Sequence, residues 1–448
     1  MSSLVRILAL AAVAGIAFSA SAGAQLLGVQ ALPPVSLPPV GNLPAANLPV
    51  AGPILQNILA EPAAQQAISP TLDSVSGLSG IVADSGAPTL LELRRLRLQE
   101  LIRSNRTTVE PDNNGLPVRR GVVAVMDPDP AGLQRALAAG FRLMADDRDQ
   151  VLGMRTVALG TPRGLSAKDG LKLLRKLAPE LQADFDHLFE PAGAALLPMA
   201  GALAAAQGSA VGPAIGMIDG GVASHPSLGR ASIEQNGFAG SPQPTGHGTA
   251  VASLLVGNQG PFRGAATGAR LFVADVYGGN RAAGSATSIV RALGWLSSHR
   301  PQVINISLVG PPNKLVQRAI QIAQSRGIQV VAAVGNDGPA APPQYPASYP
   351  GVVAVTAVDA SGRALPEAGK PSHLDFAAPG ADMAAALPGN GYARVRGTSF
   401  AAPLAAARLL AAGSPGALSA EARPGRGRVG RGIICGACRI DPKAVGAK

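Results

Sequence analysis

Four short apolar runs, separated by stretches of helical periodicity, constrain this chain more than anything else in it. They are PAIGMID, ARLFVADV, QVINISL and IQVVAAV, at residues 213–219, 269–276, 302–308 and 328–334. Between them, SATSIVRALGWLSSHR and PNKLVQRAIQIAQSRG repeat apolar residues at helical spacing. Strands that are apolar throughout are buried on both faces, and strands alternating with helices predict an α/β fold, a parallel sheet with helices on both faces. Such sheets build their sites where the strands end.

Four polar residues stand at such places. Asp219 closes the first run; His247 lies in TGHGTAVASLLVG; Asn336 sits in Gly335-Asn336-Asp337-Gly338 after the fourth run; Ser399 lies in GTSFAAP, which leads into the alanine-rich LAAARLLAAG. Each alone has a plain explanation, as a turn residue, a packed ring or a helix cap. Together they are the parts that acyl hydrolysis needs. A serine hydroxyl attacks only when an imidazole takes its proton, a carboxylate orients that imidazole, and donors wait for the oxyanion.

The segments IGMIDGGV, HGTAVASLL, NISLVGP, AAVGNDG and GTSFAAP resemble, in the same order, the signature segments of subtilisin-like serine proteases. The resemblance covers roughly residues 210–412 and implies a subtilisin-like catalytic domain at 213–412. By it, Asp219 orients His247, His247 is general base and then acid, Ser399 is the nucleophile, and Asn336 helps bind the oxyanion. Ser307, Leu308 and Val309 would line the groove that pairs with substrate backbone. Three positions depart from the family pattern: Gly220 where Thr or Ser is usual, Ser253 for a common glycine, and Val309 where glycine often floors the primary specificity pocket. No redox or organic cofactor is implied. Structural calcium is frequent in the family, but no ligand is identifiable here and no metal site is assigned.

Upstream, GVVAVM, PAGLQRALAAG, FRLMAD, VLGMRTVAL, SAKDGLKLLRKLAP and DFDHLF read as strand, helix, strand, strand, helix, strand. The second helix opens with the capping box Ser166-x-x-Asp169. This is a ferredoxin-like α+β unit at 119–190, in which His187 reads as structural. The resemblance implies that it is an inhibitory prodomain. The uncharged link at 191–212, around LLPMAGALAAAQG, is then the expected maturation site.

The first 24 residues carry one Arg, an apolar run and Ala22-Gly23-Ala24, the pattern of a signal peptide. This predicts export, to the periplasm or outside the cell, with no stable membrane span after its removal. Residues 25–118 read as a Pro/Ala-rich spacer, with an amphipathic helix near 89–104 from PTLLELRRLRLQELIRSN. That helix would pack on a partner or on the domain that follows.

The tail at 413–448 is basic and Gly-rich, RPGRGRVGRG, and reads as solvated or processed. The net charge of +11 suits nucleic acid or an acidic surface, but no aromatic interleaves the tail arginines, so no nucleic acid is expected. Cys435 and Cys438 form one CxxC, read as a small disulfide loop, since zinc would need two more ligands and a redox motif a different setting. The reading is an exported, monomeric serine endopeptidase, made as a zymogen, whose partners are protein or peptide substrates and its own prodomain. Two alternatives stay open: a non-catalytic scaffold on the same fold, and an enzyme that cuts only its own linker.

Overall fold

The computed structural model describes residues 89–192 and 212–447. The expected signal peptide, the spacer up to residue 88 and the linker 193–211 lie outside the described residues. The expected amphipathic helix is α1, Leu90–Ser104. It opens with a reciprocal cap, in which Thr89 Oγ1 accepts from the Glu92 amide and the Glu92 carboxylate accepts from the Thr89 amide at 2.7 Å.

The ferredoxin-like unit follows: β1 (Val109–Pro111), β2 (Pro117–Met126), α2 (Pro130–Ala138), β3 (Arg142–Asp149), β4 (Met154–Gly160), α3 (Ala167–Leu177) and β5 (Gln182–His187). Its antiparallel strands lie in the order β5-β2-β4-β3, with β1 against the start of β2. The spacer therefore ends earlier than residue 118. The reason is β1, whose Glu110 is buried and accepts from the amides of Gly121 at 2.8 Å and Ala167 at 2.6 Å.

One face of this sheet packs on α2 and α3 through Val123, Val125, Val157, Leu159, Leu171 and Leu174. The other face, with Ala124, Met126, Leu152 and Met154, joins the core of the larger domain. Strand β5 is followed by the two-residue β6, Glu190–Pro191.

The larger domain runs β7 (Ala214–Asp219), β8 (Ile233–Gly237), α4 (Gly246–Val256), a small hairpin of β9 (Asn258–Gln259) and β10 (Phe262–Arg263), β11 (Arg270–Asp275), α5 (Ala286–Ser298), β12 (Val303–Ile306) and β13 (Leu308–Val309). Then come α6 (Lys314–Ser325), β14 (Gln329–Ala333), β15 (Val353–Val358), β16 (Phe376–Pro379), β17 (Met383–Ala386), β18 (Tyr392–Val395) and α7 (Thr398–Ala412). Seven parallel strands form one sheet in the order β16-β15-β14-β12-β7-β11-β8, covered by two helix pairs, α4 with α7 and α5 with α6. The prodomain-like unit seats its carboxylates at the N-termini of the second pair, where helix dipoles favour negative charge. Asp186 Oδ1 accepts from the Thr287 amide at 2.9 Å, and Asp184 Oδ2 from the Lys314 amide at 3.0 Å.

The basic stretch from Arg423 to Arg428 is exposed, as expected of a solvated tail, but the residues that follow it pair with the sheet. The Ala377 amide of β16 donates to the Gly432 carbonyl at 2.9 Å, and the Ile434 amide donates to the Ala377 carbonyl at 2.8 Å. Ile434 is buried, Arg431 lies over the Phe376 ring, and Arg439 donates to the Asp359 carbonyl at 2.7 Å. Arg439 bonds carbonyls and Arg431 covers a ring, which ties the end of this basic stretch to the domain. Cys435 and Cys438 are disulfide-bonded within the tail.

Candidate active site

Asp219 closes β7, an interior strand of the parallel sheet between β12 and β11. Its Oδ1 accepts from the Gly220 amide at 2.7 Å and from His247 Nδ1 at 2.9 Å. An ionised carboxylate only accepts, so the ring proton sits on Nδ1 and Nε2 is left with its lone pair. His247 is buried in the first turn of α4, which Thr245 caps by accepting from the Gly248 amide at 3.0 Å. That cap explains the first departure from the family pattern. A Cβ on Gly220 would lie 2.4 Å from Thr245 Oγ1, so the usual Thr or Ser cannot stand there beside this threonine. The second departure also has a partner, because Ser253 Oγ accepts from the Ala386 amide at 3.0 Å and ties α4 to β17.

Ser399 is the second residue of α7, not its cap. The cap is Gly397, at φ 139° and with no side-chain bond. Ser399 Oγ is buried without a hydrogen-bond partner, and so is His247 Nε2. The capping explanation for this serine therefore fails. Pro403 lies inside the helix four residues on and has no N–H to give the Ser399 carbonyl. Ser307 Oγ takes that place, donating to the Ser399 carbonyl at 3.0 Å. The His247 ring packs against Phe400, centroids 5.5 Å apart, beside this helix start.

Asn336 is held by the same helix start. Its Oδ1 accepts from the Thr398 amide at 3.0 Å, which turns its NH2 toward the cleft. There Nδ2 donates to the Ala192 carbonyl. A Cβ on Gly397 would stand 2.9 Å from Nδ2, so only glycine leaves the amide room.

Residues 188–192 occupy the cleft as an added strand. Phe189 donates its amide to the Gly284 carbonyl at 2.7 Å and Leu188 bridges Ser285; β6 pairs antiparallel with β13, Glu190 opposite Val309 and Pro191 opposite Leu308. The Ala192 amide donates to the Ser307 carbonyl at 2.8 Å. Of the residues expected at the site, Ser307, Leu308, Val309 and Asn336 bond or pair with residues 190–192, and His247, bonded to Asp219, packs on Phe400 next to Ser399, while Cys435 and Cys438 lie in the tail.

Residues not anticipated from sequence complete the groove. Asp275, parallel partner of Asp219, accepts from the amides of Gln243, Tyr277 and Gly278 between 2.8 and 3.0 Å. Burial raises its pKa above the ordinary value, against the lowering effect of those three amides. Tyr277 Oη donates to the Phe189 carbonyl at 3.1 Å, and burial pushes its pKa well above the usual range, so it remains a donor. The Thr245 cap was legible in TGHGT; Tyr277 carried no signal short of the fold.

A subtilase family model matches residues 211–414. Subtilisin Savinase from Lederbergia lenta is 35% identical over 198 residues, which cover 43% of this chain and 72% of that protein. The chain is a subtilase. It thus belongs to a family of serine endopeptidases. Subtilisin E from Bacillus subtilis strain 168 is 33% identical over 221 residues, 47% of this chain and 58% of that protein. The structure of fervidolysin from Fervidobacterium pennivorans superposes with a TM-score of 0.59 over 74% of this subtilase and 61% of that chain; at 18% identity the likeness is one of fold.

Proposed function

We propose that this subtilase is an exported endopeptidase that hydrolyses peptide bonds through Asp219, His247 and Ser399, and that it matures by cutting its own chain between Ala192 and Gly193. One observation carries the reading. The Ala192 carbonyl accepts from Asn336 Nδ2 while the residues before it pair with the groove on both sides. A carbonyl so held is where an oxyanion would form.

In this reading Ser399 Oγ attacks the Ala192 carbonyl carbon and passes its proton to His247 Nε2. Asp219, bonded to Nδ1, stabilises the imidazolium, and the Asn336 amide and the Ser399 N–H meet the oxyanion. The Ala192–Gly193 bond breaks, and His247 returns the proton to the Gly193 amine. Water, deprotonated by the same imidazole, then hydrolyses the acyl-enzyme ester and frees Ser399. The cut falls at the edge of the uncharged linker rather than within LLPMAGALAAAQG. Register in the groove, rather than looseness of the chain, selects it.

Intact masses of the exported wild type and Ser399→Ala test this. The wild type is expected to yield a chain beginning at Gly193, and Ser399→Ala to keep residues 89–192 covalently attached. Equal cutting of both would assign the cut to another protease, and a start within 197–209 would refute the bond assignment alone. Cleavage of an added unfolded protein by the wild type separates a general endopeptidase from one that cuts only itself.

A further inference from the structure

Helix α1 lies outside both the ferredoxin-like unit and the catalytic domain, yet it touches the groove and its occupant. Arg94 Nε donates to Asp337 Oδ2 at 3.1 Å, Arg97 Nη2 to Asp337 Oδ1 at 2.9 Å, and Arg97 Nε to Glu190 Oε2 at 3.3 Å. Asp337 directly follows Asn336, and its side chain is 6% exposed. Glu190 belongs to the strand in the groove; its other oxygen lies 3.6 Å from Arg281 of the catalytic domain. Burial works against the Arg97 cation, but Glu190 and Asp337 outweigh it and hold its pKa above the ordinary value.

Apolar contacts lie on either side of these pairs. At the start of the helix Leu90 rests on Gly338, where an added Cβ would meet Leu90 Cδ1 at 3.0 Å. Toward its end, Leu101 and Ile102 pack on Val109, Leu188 and Ala282, that is, on the unit, on the bound strand and on the catalytic domain at once. Leu90, Arg94, Arg97 and Leu101 fall at steps of four, three and four residues, which puts them on one face. The arginines stand within the docking stripe itself.

We propose that Asp337 and the bound Glu190 form a docking site for the arginine-bearing face of an amphipathic helix, here α1, and that this contact holds residues 188–192 in the groove in addition to the ferredoxin-like unit. Without the helix, the Asp337 carboxylate loses both guanidinium partners, so the site favours recapture of a cationic helix. The inference rests on the maturation reading only for its consequence, that release of α1 is part of activation.

Hydrogen exchange in the full-length Ser399→Ala chain tests the docking without requiring activity. Adding Arg94→Ala and Arg97→Ala is expected to speed exchange of the Phe189 and Ala192 amides about three- to ten-fold, as for two partly screened charge pairs. Adding Arg103→Ala instead, which removes a pair with Glu100 on the same helix, leaves those amides unchanged. In about 1 M sodium chloride the Ser399→Ala parent should move toward the double-arginine variant, a check that needs no substitution in the helix. Unchanged exchange at Phe189 and Ala192 in both the variant and high salt would overturn the proposal. If the wild type never cuts itself, the maturation reading fails, and the exchange comparison still decides the docking.

Discussion

With the cut proposed after Ala192, the structure predicts a preference for an aromatic residue four positions before it, and replacing Gly310 with alanine should erase that preference. Phe189 occupies that position in the bound strand and is completely buried, held by its amide to Gly284 and by its carbonyl to Tyr277. A Cβ on Gly310 would stand 2.5 Å from Phe189 Cδ1 and 2.7 Å from Cε1, so the ring must leave. Gly310 is not among the positive-φ glycines, so alanine there adds bulk without backbone strain. Full burial of a phenylalanine is worth about 1.5–3 kcal/mol, which corresponds to about 10- to 150-fold in kcat/KM. Two internally quenched peptides, with the residues Leu-Phe-Glu-Pro-Ala-Gly and Leu-Ala-Glu-Pro-Ala-Gly around the cut, measure this directly. The matured wild type should prefer the first by that factor, and Gly310→Ala should treat the two nearly alike. A variant that keeps the wild-type ratio would refute the argument that the Gly310 wall forms the pocket. Loss of both activities together would instead point to damage of the groove.

Three further outcomes follow from the geometry. Asp219→Asn should lower kcat by about four orders of magnitude through the wrong imidazole tautomer, with the thermal midpoint little changed, which steady-state kinetics and calorimetry check together. Gly220→Ser should displace Thr245 and cost about 1 kcal/mol of stability through the lost cap on α4; adding Thr245→Gly, a cap only a few tenths of a kcal/mol worse, should restore most of that stability in urea melts, and failure of that rescue would show that the clash is not the cause. Burial pushes the Asp112 carboxyl up, but the hydrogen bond to His187 and the Leu116 and Asn114 amides outweigh it and hold its pKa below the ordinary 3.8. A carboxylate depressed in the folded state stabilises above its ordinary pKa and loses that contribution as pH falls through the folded one. Urea midpoints of Ser399→Ala with and without Asp112→Ala should therefore differ at pH 6 and converge below pH 3.8.

Much of this architecture is readable in the chain because its central strands are apolar from end to end. PAIGMID, ARLFVADV, QVINISL and IQVVAAV became β7, β11, β12 and β14, adjacent in the sheet. The flanks were less legible: β8 reads IEQNG, half exposed and polar, and β16 reads FAAP, too short for a period. VAVTAV of β15, buried throughout, obeys the same run-length rule as the four central runs. The site was legible residue by residue, because each polar group ends an apolar run or opens a helix. The proposed cut after Ala192 was not, since the sequence marks loose chain whereas the proposal rests on register in the groove. Nor was the role of α1, because arginines within an amphipathic pattern are assigned to solvent until their carboxylate partners, far away in sequence, are known.

The pairing of Ala377 with Gly432 and Ile434 bears on how the protein can be handled. The family match stops at residue 414, and a chain ended there would look complete by that criterion. It would bare the β16 edge, whose Ala377 amide and carbonyl are now both satisfied by the tail. An uncovered, apolar edge strand is a template for pairing with another copy. Shortened versions should therefore be judged by their solubility before their activity is compared, and an affinity tag at the C-terminus belongs beyond residue 448, with a spacer that leaves Ile433 and Ile434 in register.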